Sequence, residues 1–231
     1  MTTSTIRHRG PHLGLLAIVF TGLFCTGLSY VVAFKSGEPY FPGPWESAAT
    51  IVKYFQSQSN AVLMCAFFHF CAAIPLGIFT ATVVSRLGFL GSRAAGNNIA
   101  LFGGMFTAFN IGISSLIMWV MAYPQISADG NIIRTLYYLG FAFGGVGYSV
   151  PLGLLIAGIS VTSFFMKTLP KWLTILGILI ALMGELSSFY LVAPKLLYLI
   201  PLTRFPGFIW LIIVGFKLPV LKEVVAQKVS E

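Results

Sequence analysis

A carboxylic acid, a guanidinium and an imidazole lie inside apolar stretches of this sequence, where ionisable side chains are rare. Glu185 lies within residues 172–194, Arg204 within residues 197–218 and His69 within residues 61–85. An ionisable residue inside a stretch that is apolar and long enough to cross a membrane commonly binds a ligand, relays a proton or pairs with another charge. These three side chains are therefore the first candidates for a functional site.

Counting along the helices places the three groups at one depth. At about 1.5 Å per residue, each comes out about 10 Å below the same membrane surface. Separating the acid from the guanidinium in lipid would be costly. We therefore expect an ion pair between Glu185 and Arg204, with His69 nearby, as the floor of a polar pocket open to the outer side. Two alternatives stay open: a structural pair that joins the last two helices, and a hydrogen-bonded core role for His69.

Further polar residues follow the same helical faces. Ser188 lies three residues after Glu185, and Asn110 and Ser114 continue a ribbon that begins with Gly103 and Thr107. Such a ribbon either joins helices or lines a cavity. The predicted ligand-binding residues are His69, Asn110, Ser114, Glu185, Ser188 and Arg204.

No enzyme motif accompanies these residues. The sequence has no HExxH, no multi-histidine zinc set and no serine hydrolase pattern. His69 is the only histidine in an apolar stretch, which excludes bis-histidine haem ligation within one chain, and the three cysteines lack the spacing of a metal or redox site. We therefore predict no catalytic residue, no metal site and no cofactor.

Composition and hydropathy define the element pattern that must position these groups. Of 231 residues, 57% are hydrophobic and only 9% are charged, and the mean hydropathy is +0.90. Six apolar runs have the length needed to span a bilayer. They cover residues 13–34, 61–85, 99–123, 138–165, 172–193 and 197–218. The sequence predicts an all-α polytopic membrane protein, a single six-helix bundle over residues 1–231.

The basic residues predict the orientation of this bundle. The net charge of +8 is dispersed at helix ends, which argues against a nucleic-acid partner. With both termini in the cytoplasm, most basic residues lie on the inner side, as the positive-inside rule requires. These inner residues are Arg7, Arg9, Arg86, Arg93, Lys167, Lys171, Lys217, Lys222 and Lys228. We expect a multi-pass protein of the inner (plasma) membrane.

The connection between the first two spans has two parts. Residues 37–44 contain Pro39, Pro42 and Pro44, which forbid helix. Residues 45–58 repeat apolar side chains at helical spacing and predict an amphipathic interfacial helix. Its simpler role is a membrane anchor, and the alternative role is a lid over a site.

Two spans carry special patterns. The first contains Gly22, Thr26, Ser29 and Ala33 at helical spacing, a small-polar stripe that we expect to face other helices. The fourth is interrupted by a cluster of glycines and a proline, which predicts a kink or a close helix contact near its middle. This cluster consists of Gly144, Gly145, Gly147 and Pro151.

Three segments in the last third of the chain carry a family resemblance: LPKWLTILG at 169–177, GELSS at 184–188 and PGFIWLIIVGFK at 206–217. They resemble the C-terminal part of an uncharacterised family of bacterial six-span integral membrane proteins, a domain of unknown function. The resemblance implies a six-helix fold and a bacterial inner membrane, and it implies no activity.

These observations favour a membrane protein that binds or carries a small or lipidic ligand in a polar pocket of the outer half of the bundle. The alternative is a non-catalytic subunit of a larger membrane complex, whose small-residue faces dock other helices. The expected partners are membrane lipids, a small lipidic ligand and either further copies of the chain or a membrane-complex partner.

Overall fold

The computed structural model describes residues 3–32 and 40–225. Ala33 and the rest of the predicted end of the first span, the start of the proline-rich segment with Pro39, and Lys228 lie outside these residues.

The described residues are almost entirely helical. The α-helices are α1 (Leu13–Val31), α2 (Ala48–Ser57), α3 (Ser59–Leu90), α4 (Gly96–Met121), α5 (Pro124–Ser127), α6 (Gly130–Gly144), α7 (Val146–Met166), α8 (Lys171–Leu186) and α9 (Leu199–Lys217). Two 3₁₀ segments, Ser187–Leu191 and Pro194–Tyr198, connect α8 to α9. Two short strands, β1 (Thr3–Arg7) and β2 (Leu221–Val225), lie at the two ends of the chain.

Six helical segments are long and apolar enough to cross a membrane, so the predicted all-α polytopic fold is confirmed. They are Leu13–Val31, Ser59–Leu90, Gly96–Met121, Gly130–Met166, Lys171–Leu191 and Pro194–Lys217. The amphipathic helix between the first two also forms, as α2. The fourth span is longer than predicted, because α6 begins at Gly130 and continues the span in front of α7.

The spanning helices form a closed ring in which α7 is the most buried. Each long helix contacts the next in the order α1, α3, α4, α7, α8, α9, and α9 returns to α1. Helix α7 also contacts α3, α6 and α9. Its serines Ser149 and Ser160 are fully buried, as are its apolar residues Leu152, Leu155 and Ile156. Because α7 contacts most of the other spanning helices, its residues position the interior of the bundle.

Glycines allow the backbones of α4 and α7 to touch. A Cβ atom at Gly103 would lie 2.5 Å from the backbone nitrogen of Leu155, and one at Gly158 would lie 2.5 Å from the carbonyl oxygen of Gly96. Both distances are far below van der Waals contact. The small residues at these positions therefore set the separation of the two helices that frame the interior.

The two ends of the described chain meet on one side of the bundle. Strand β1 pairs antiparallel with β2, with Ile6 opposite Lys222. The sequence does not predict this pairing, because each strand is short and has little apolar alternation. The pairing places both described ends of the chain on the same side of the bundle, and we refer to the other side as the far end.

The described part of the small-polar stripe of the first span does not face another helix of the described chain. Gly22, Thr26 and Ser29 are exposed, and no atom lies within 4 Å of a Cβ built on Gly22. Instead α1 turns its bulky Phe20 and Phe24 into the core. This prediction was wrong because aromatic side chains bury more apolar area than a stripe of small residues, so they determine which face points inward.

Candidate functional site

The fourth span is broken where α6 ends and α7 begins. Gly145 has φ −97° and ψ −100°, outside the helical range. The amides of Tyr148 and Ser149 both bond to the Gly145 carbonyl, so the Gly144 carbonyl loses the donor that an unbroken helix would supply. Pro151 has no N–H, so the Gly147 carbonyl loses its donor as well. The break therefore leaves two backbone acceptors to be satisfied by other groups.

Side chains from α4 and α9 supply these donors. Asn110 donates through Nδ2 to the Gly147 carbonyl, and Arg204 donates through Nη2 to the Gly144 carbonyl. Ser114 donates to the carbonyl of Gly140, one turn earlier on α6, at 2.8 Å. Three of the sequence-predicted site residues thus converge on the break.

Arg204 lies between aromatic rings. Its guanidinium carbon is 4.7 Å from the centroid of the Tyr148 ring and 5.3 Å from that of Phe24, which places the cation within range of both π-systems. Its Nε atom has no hydrogen-bond partner within the described ranges, and none of its contacts there is with a carboxylate. The described protein therefore stabilises this charge by rings and a carbonyl, without neutralising it.

His69 joins the same group of rings. Its ring stacks on Phe24 with centroids 4.2 Å apart, and its Nε2 lies 3.0 Å from the Phe24 carbonyl oxygen. Since a carbonyl oxygen only accepts, Nε2 carries the proton, and Nδ1 faces the Cys65 sulfur at 3.7 Å. Gly27 leaves room for the ring, because a Cβ there would lie 2.7 Å from the His69 Cδ2 atom. The imidazole is thus held in one tautomer and one orientation.

A cavity of about 370 Å³ opens beside these groups in the far half of the bundle. This volume is in the range of sites for small organic molecules. His69, Ser114 and Arg204 line it, together with the break at Gly144 and Gly145. The aromatic part of its wall consists of Phe24, Phe41, Trp45, Tyr137, Phe141 and Tyr148. Most of the remaining lining is aliphatic, so the cavity is an apolar chamber with a polar region at the break.

Residues 41–45, which we call the cap, form part of the cavity wall between α1 and α2. Tyr137 on α6 donates its hydroxyl to the Pro42 carbonyl, and Trp45 packs on Phe141 with ring centroids 5.8 Å apart. Glu46 accepts the Gly43 amide at 2.8 Å, which fixes the turn of the cap. These contacts hold the cap against α6.

Helix α2 anchors the cap to the bundle. Ile51 and Phe55 are fully buried in a hydrophobic cluster with α3 and α6. Tyr54, also in this cluster, donates to the Val31 carbonyl at 3.4 Å. Burial, and after it the neighbouring Cys65, raises the pKa of Tyr54 to about 12, so its hydroxyl remains a donor at neutral pH. The apolar face of the amphipathic helix thus packs on protein, beside the cavity.

The predicted ion pair between Glu185 and Arg204 does not form. Arg204 bonds to Gly144, whereas Glu185 lies against Gly153 of α7, where its Oε1 atom is buried and has no hydrogen-bond partner in the described part of the chain. Residues on neighbouring helices can share a depth and still point to different neighbours, so counting along the helices did not determine the pairing. This prediction was wrong for that reason.

The six predicted ligand-binding residues therefore occupy three kinds of position. His69, Ser114 and Arg204 line the cavity. Asn110 lies behind it, bonded to the break. Glu185 and Ser188 lie elsewhere on the α8 side, and the Ser188 hydroxyl bonds to the backbone carbonyl of Glu185 at 2.6 Å. A ligand-binding role for any of the six stays a prediction.

The sequence analysis missed the aromatic residues of the cavity. Tyr148 is fully buried, and its hydroxyl has no hydrogen-bond partner among residues 3–32 and 40–225. Its position between Gly147 and Pro151, inside the interrupted span, was the available signal, because side chains next to a break commonly line a cavity. Among the described residues, no group of three or more His, Cys, Asp and Glu is placed to hold a metal ion.

Comparison with known proteins identifies no relative of this chain. No family model, curated protein or solved structure matches the chain. The resemblance to the bacterial six-span family therefore stays a prediction, and the functional argument depends on the cavity and the break.

Proposed function

We propose that this protein binds or carries a small lipidic ligand in the cavity at the α6–α7 break. One observation carries the proposal: an apolar, aromatic chamber of about 370 Å³ meets a broken membrane helix and a half-buried cation at one place. Broken helices within a bundle occur where backbone groups are buried in protein or line a cavity, and in many transporters they mark the substrate site.

Further features support an apolar ligand in the far half of the bundle. The wall is mainly apolar, which suits a hydrocarbon, and the cap forms part of this wall, with α2 packed beside the cavity. The positive-inside rule favours cytoplasmic termini, so the far end would face outward in an inner (plasma) membrane. Labelling of single cysteines introduced near β1 and in the loop at Asp129 tests this orientation from each side of sealed cells.

Extraction of bound molecules tests the proposal with a matched pair of variants. Leu28 lines the cavity, whereas Leu15 on the same helix is 57% exposed on the outer surface. Leu28→Trp fills the chamber, and Leu15→Trp makes the same change away from it. We purify both variants and the parent protein from membranes and quantify retained small molecules by mass spectrometry.

The proposal predicts that one class of amphiphile co-purifies with the parent protein and with Leu15→Trp, and is lost from Leu28→Trp. Thermal unfolding of all three proteins in detergent checks that they are folded. Equal retention in the two variants, or no retained molecule in any of them, would contradict a role of the cavity in binding.

A second candidate function is that of a non-catalytic subunit of a larger membrane complex. The observation that favours it is the exposed small-polar stripe on α1. Gly22, Thr26 and Ser29 offer a surface on which another membrane helix can approach closely. Native electrophoresis of solubilised membranes tests this function. Thr26→Trp should release the chain from a larger complex, whereas Ile175→Trp on the exposed face of α8 should not. Identical migration of both variants and the parent protein would exclude the subunit role of this stripe.

A further inference from the structure

The positive charge at the cavity has no negative partner within the described part of the chain. Arg204 uses Nη2 on the Gly144 carbonyl, and its Nε atom is unpaired. The hydroxyl of Tyr148, whose ring lies beneath the guanidinium, is also buried and unpaired within that part. Both residues line the chamber, and each has a donor without an acceptor among the described residues.

The broken helix does not neutralise this charge. The C-terminal end of α6 carries about half a negative charge and the N-terminal end of α7 about half a positive charge, and both ends lie at Gly145. The two helix ends therefore offset one another. The full charge of Arg204, which is half-buried within the bundle, therefore keeps no negative partner among the described residues, and an unpaired ion in such a position is costly.

The rest of the chamber determines what kind of anion fits. From the polar region the wall continues along Phe24, Leu28 and Val31 of α1 towards Phe41 of the cap, and these side chains offer no donor to a second charged group. A small inorganic anion would satisfy Arg204 and leave this apolar space without a partner. A molecule with a single anionic group at one end and a hydrocarbon body satisfies both.

We propose that the ligand of the cavity is a singly headed anionic amphiphile, with its carboxylate or phosphate at Arg204 and Tyr148 and its hydrocarbon along the aromatic wall toward the cap. This inference rests on the proposed function and gives it a ligand class. In this arrangement Arg204 makes the site prefer an anionic head group, and the hydrocarbon chain of the ligand occupies the side of the chamber next to the cap. A carboxylate and a phosphate share the chemistry that a guanidinium recognises.

Native mass spectrometry in a non-ionic detergent tests the charge requirement with two probes of equal chain length. Hexadecanoic acid and hexadecanol differ in the head group alone. The parent protein should bind the acid at least about tenfold more tightly than the alcohol, the effect expected of a charge-assisted hydrogen bond in a water-poor site. Hexadecyl phosphate, as a third probe, shows whether a phosphate head group is preferred to the carboxylate; either order supports the proposal.

Substitutions at Arg204 complete the test. Arg204→Gln should reduce binding of the acid to the level of the alcohol, whereas Arg204→Lys should retain part of the preference for the acid. The comparison of the acid with the alcohol needs only the parent protein, so it tests the charge requirement even if a substitution at Arg204 prevents folding.

The outcomes separate this inference from the proposed function. Equal binding of acid and alcohol, both abolished by Leu28→Trp, would overturn the charge requirement and leave the cavity as a lipid site. No binding of any probe would overturn both. Displacement of the acid by an equal concentration of inorganic phosphate would contradict the proposal that the ligand is an amphiphile, and it would indicate a site for a small anion.

Discussion

The hydrogen bond from Asn110 to the Gly147 carbonyl can be tested by restoring the donor that Pro151 removes. In a regular helix the amide of residue 151 would bond to the carbonyl of residue 147, and proline has no such amide. Asn110 supplies the missing donor from α4. Asn110→Leu should therefore be costly with Pro151 present, and less costly once Pro151→Ala has returned an N–H to the helix.

The expected coupling is the value of one hydrogen bond inside a membrane protein. Double-mutant cycles of such bonds average about 0.6 kcal/mol and reach about 1.7 kcal/mol. Asn110 is 1% exposed, so water does not replace the lost donor, and we expect the upper part of this range. Side effects of each substitution on packing cancel in the cycle to the extent that they are independent.

Unfolding free energies of the parent protein, the two single variants and the double variant, measured in one detergent, give the coupling. Ser115→Ala is the matched control, because the Ser115 hydroxyl bonds within its own helix to the Ile111 carbonyl at 2.7 Å. Its cycle with Pro151→Ala should give a coupling near zero. If the Asn110 cycle also lies within about 0.3 kcal/mol of zero, the account of the break is refuted.

Three more predictions follow from packing, the cap and the termini. Gly103→Ala should lower the thermal midpoint, because its Cβ meets backbone, whereas Gly112→Ala, with no atom within 4 Å, should not. Tyr137→Phe should speed hydrogen exchange in the cap, because its bond to the cap is lost. Burial, and then the charge of Arg86, lowers the pKa of His8 below 6.5. The stability it contributes is therefore complete above pH 6.5 and falls below it. The protection factors of the β1 amides, which correct for the pH dependence of intrinsic exchange, should therefore fall in acid, and His8→Gln should remove this fall.

Hydropathy was sufficient to predict the architecture. An apolar run of about twenty residues must satisfy its own backbone in lipid, so it is a helix whatever its neighbours are. The position of the break was also readable, because Gly144, Gly145 and Gly147 precede a proline. The start of α6 at Gly130 was not predictable in this way, because the polar residues between 124 and 135 lower the mean hydropathy of this part of the helix.

The arrangement around the bundle axis was not predictable from the sequence. Glu185 and Arg204 were placed at a common depth, but the side to which each points depends on how α8 and α9 pack on α7. The inward turn of Phe24 decided two outcomes at once, since it exposes the small-polar stripe of α1 and provides the ring on which both His69 and Arg204 lie. Which face of a helix turns inward depends on how the faces of all neighbouring helices pack together, and the sequence of one helix does not reveal this packing.

A density map of the protein purified from its membrane in mild detergent tests the central claim most directly. Our account predicts elongated density in the chamber, with one end within hydrogen-bonding distance of the Arg204 guanidinium and the other near Phe41. A chamber closed by its own side chains, or an Arg204 turned toward Glu185 with no density beside it, would contradict the account.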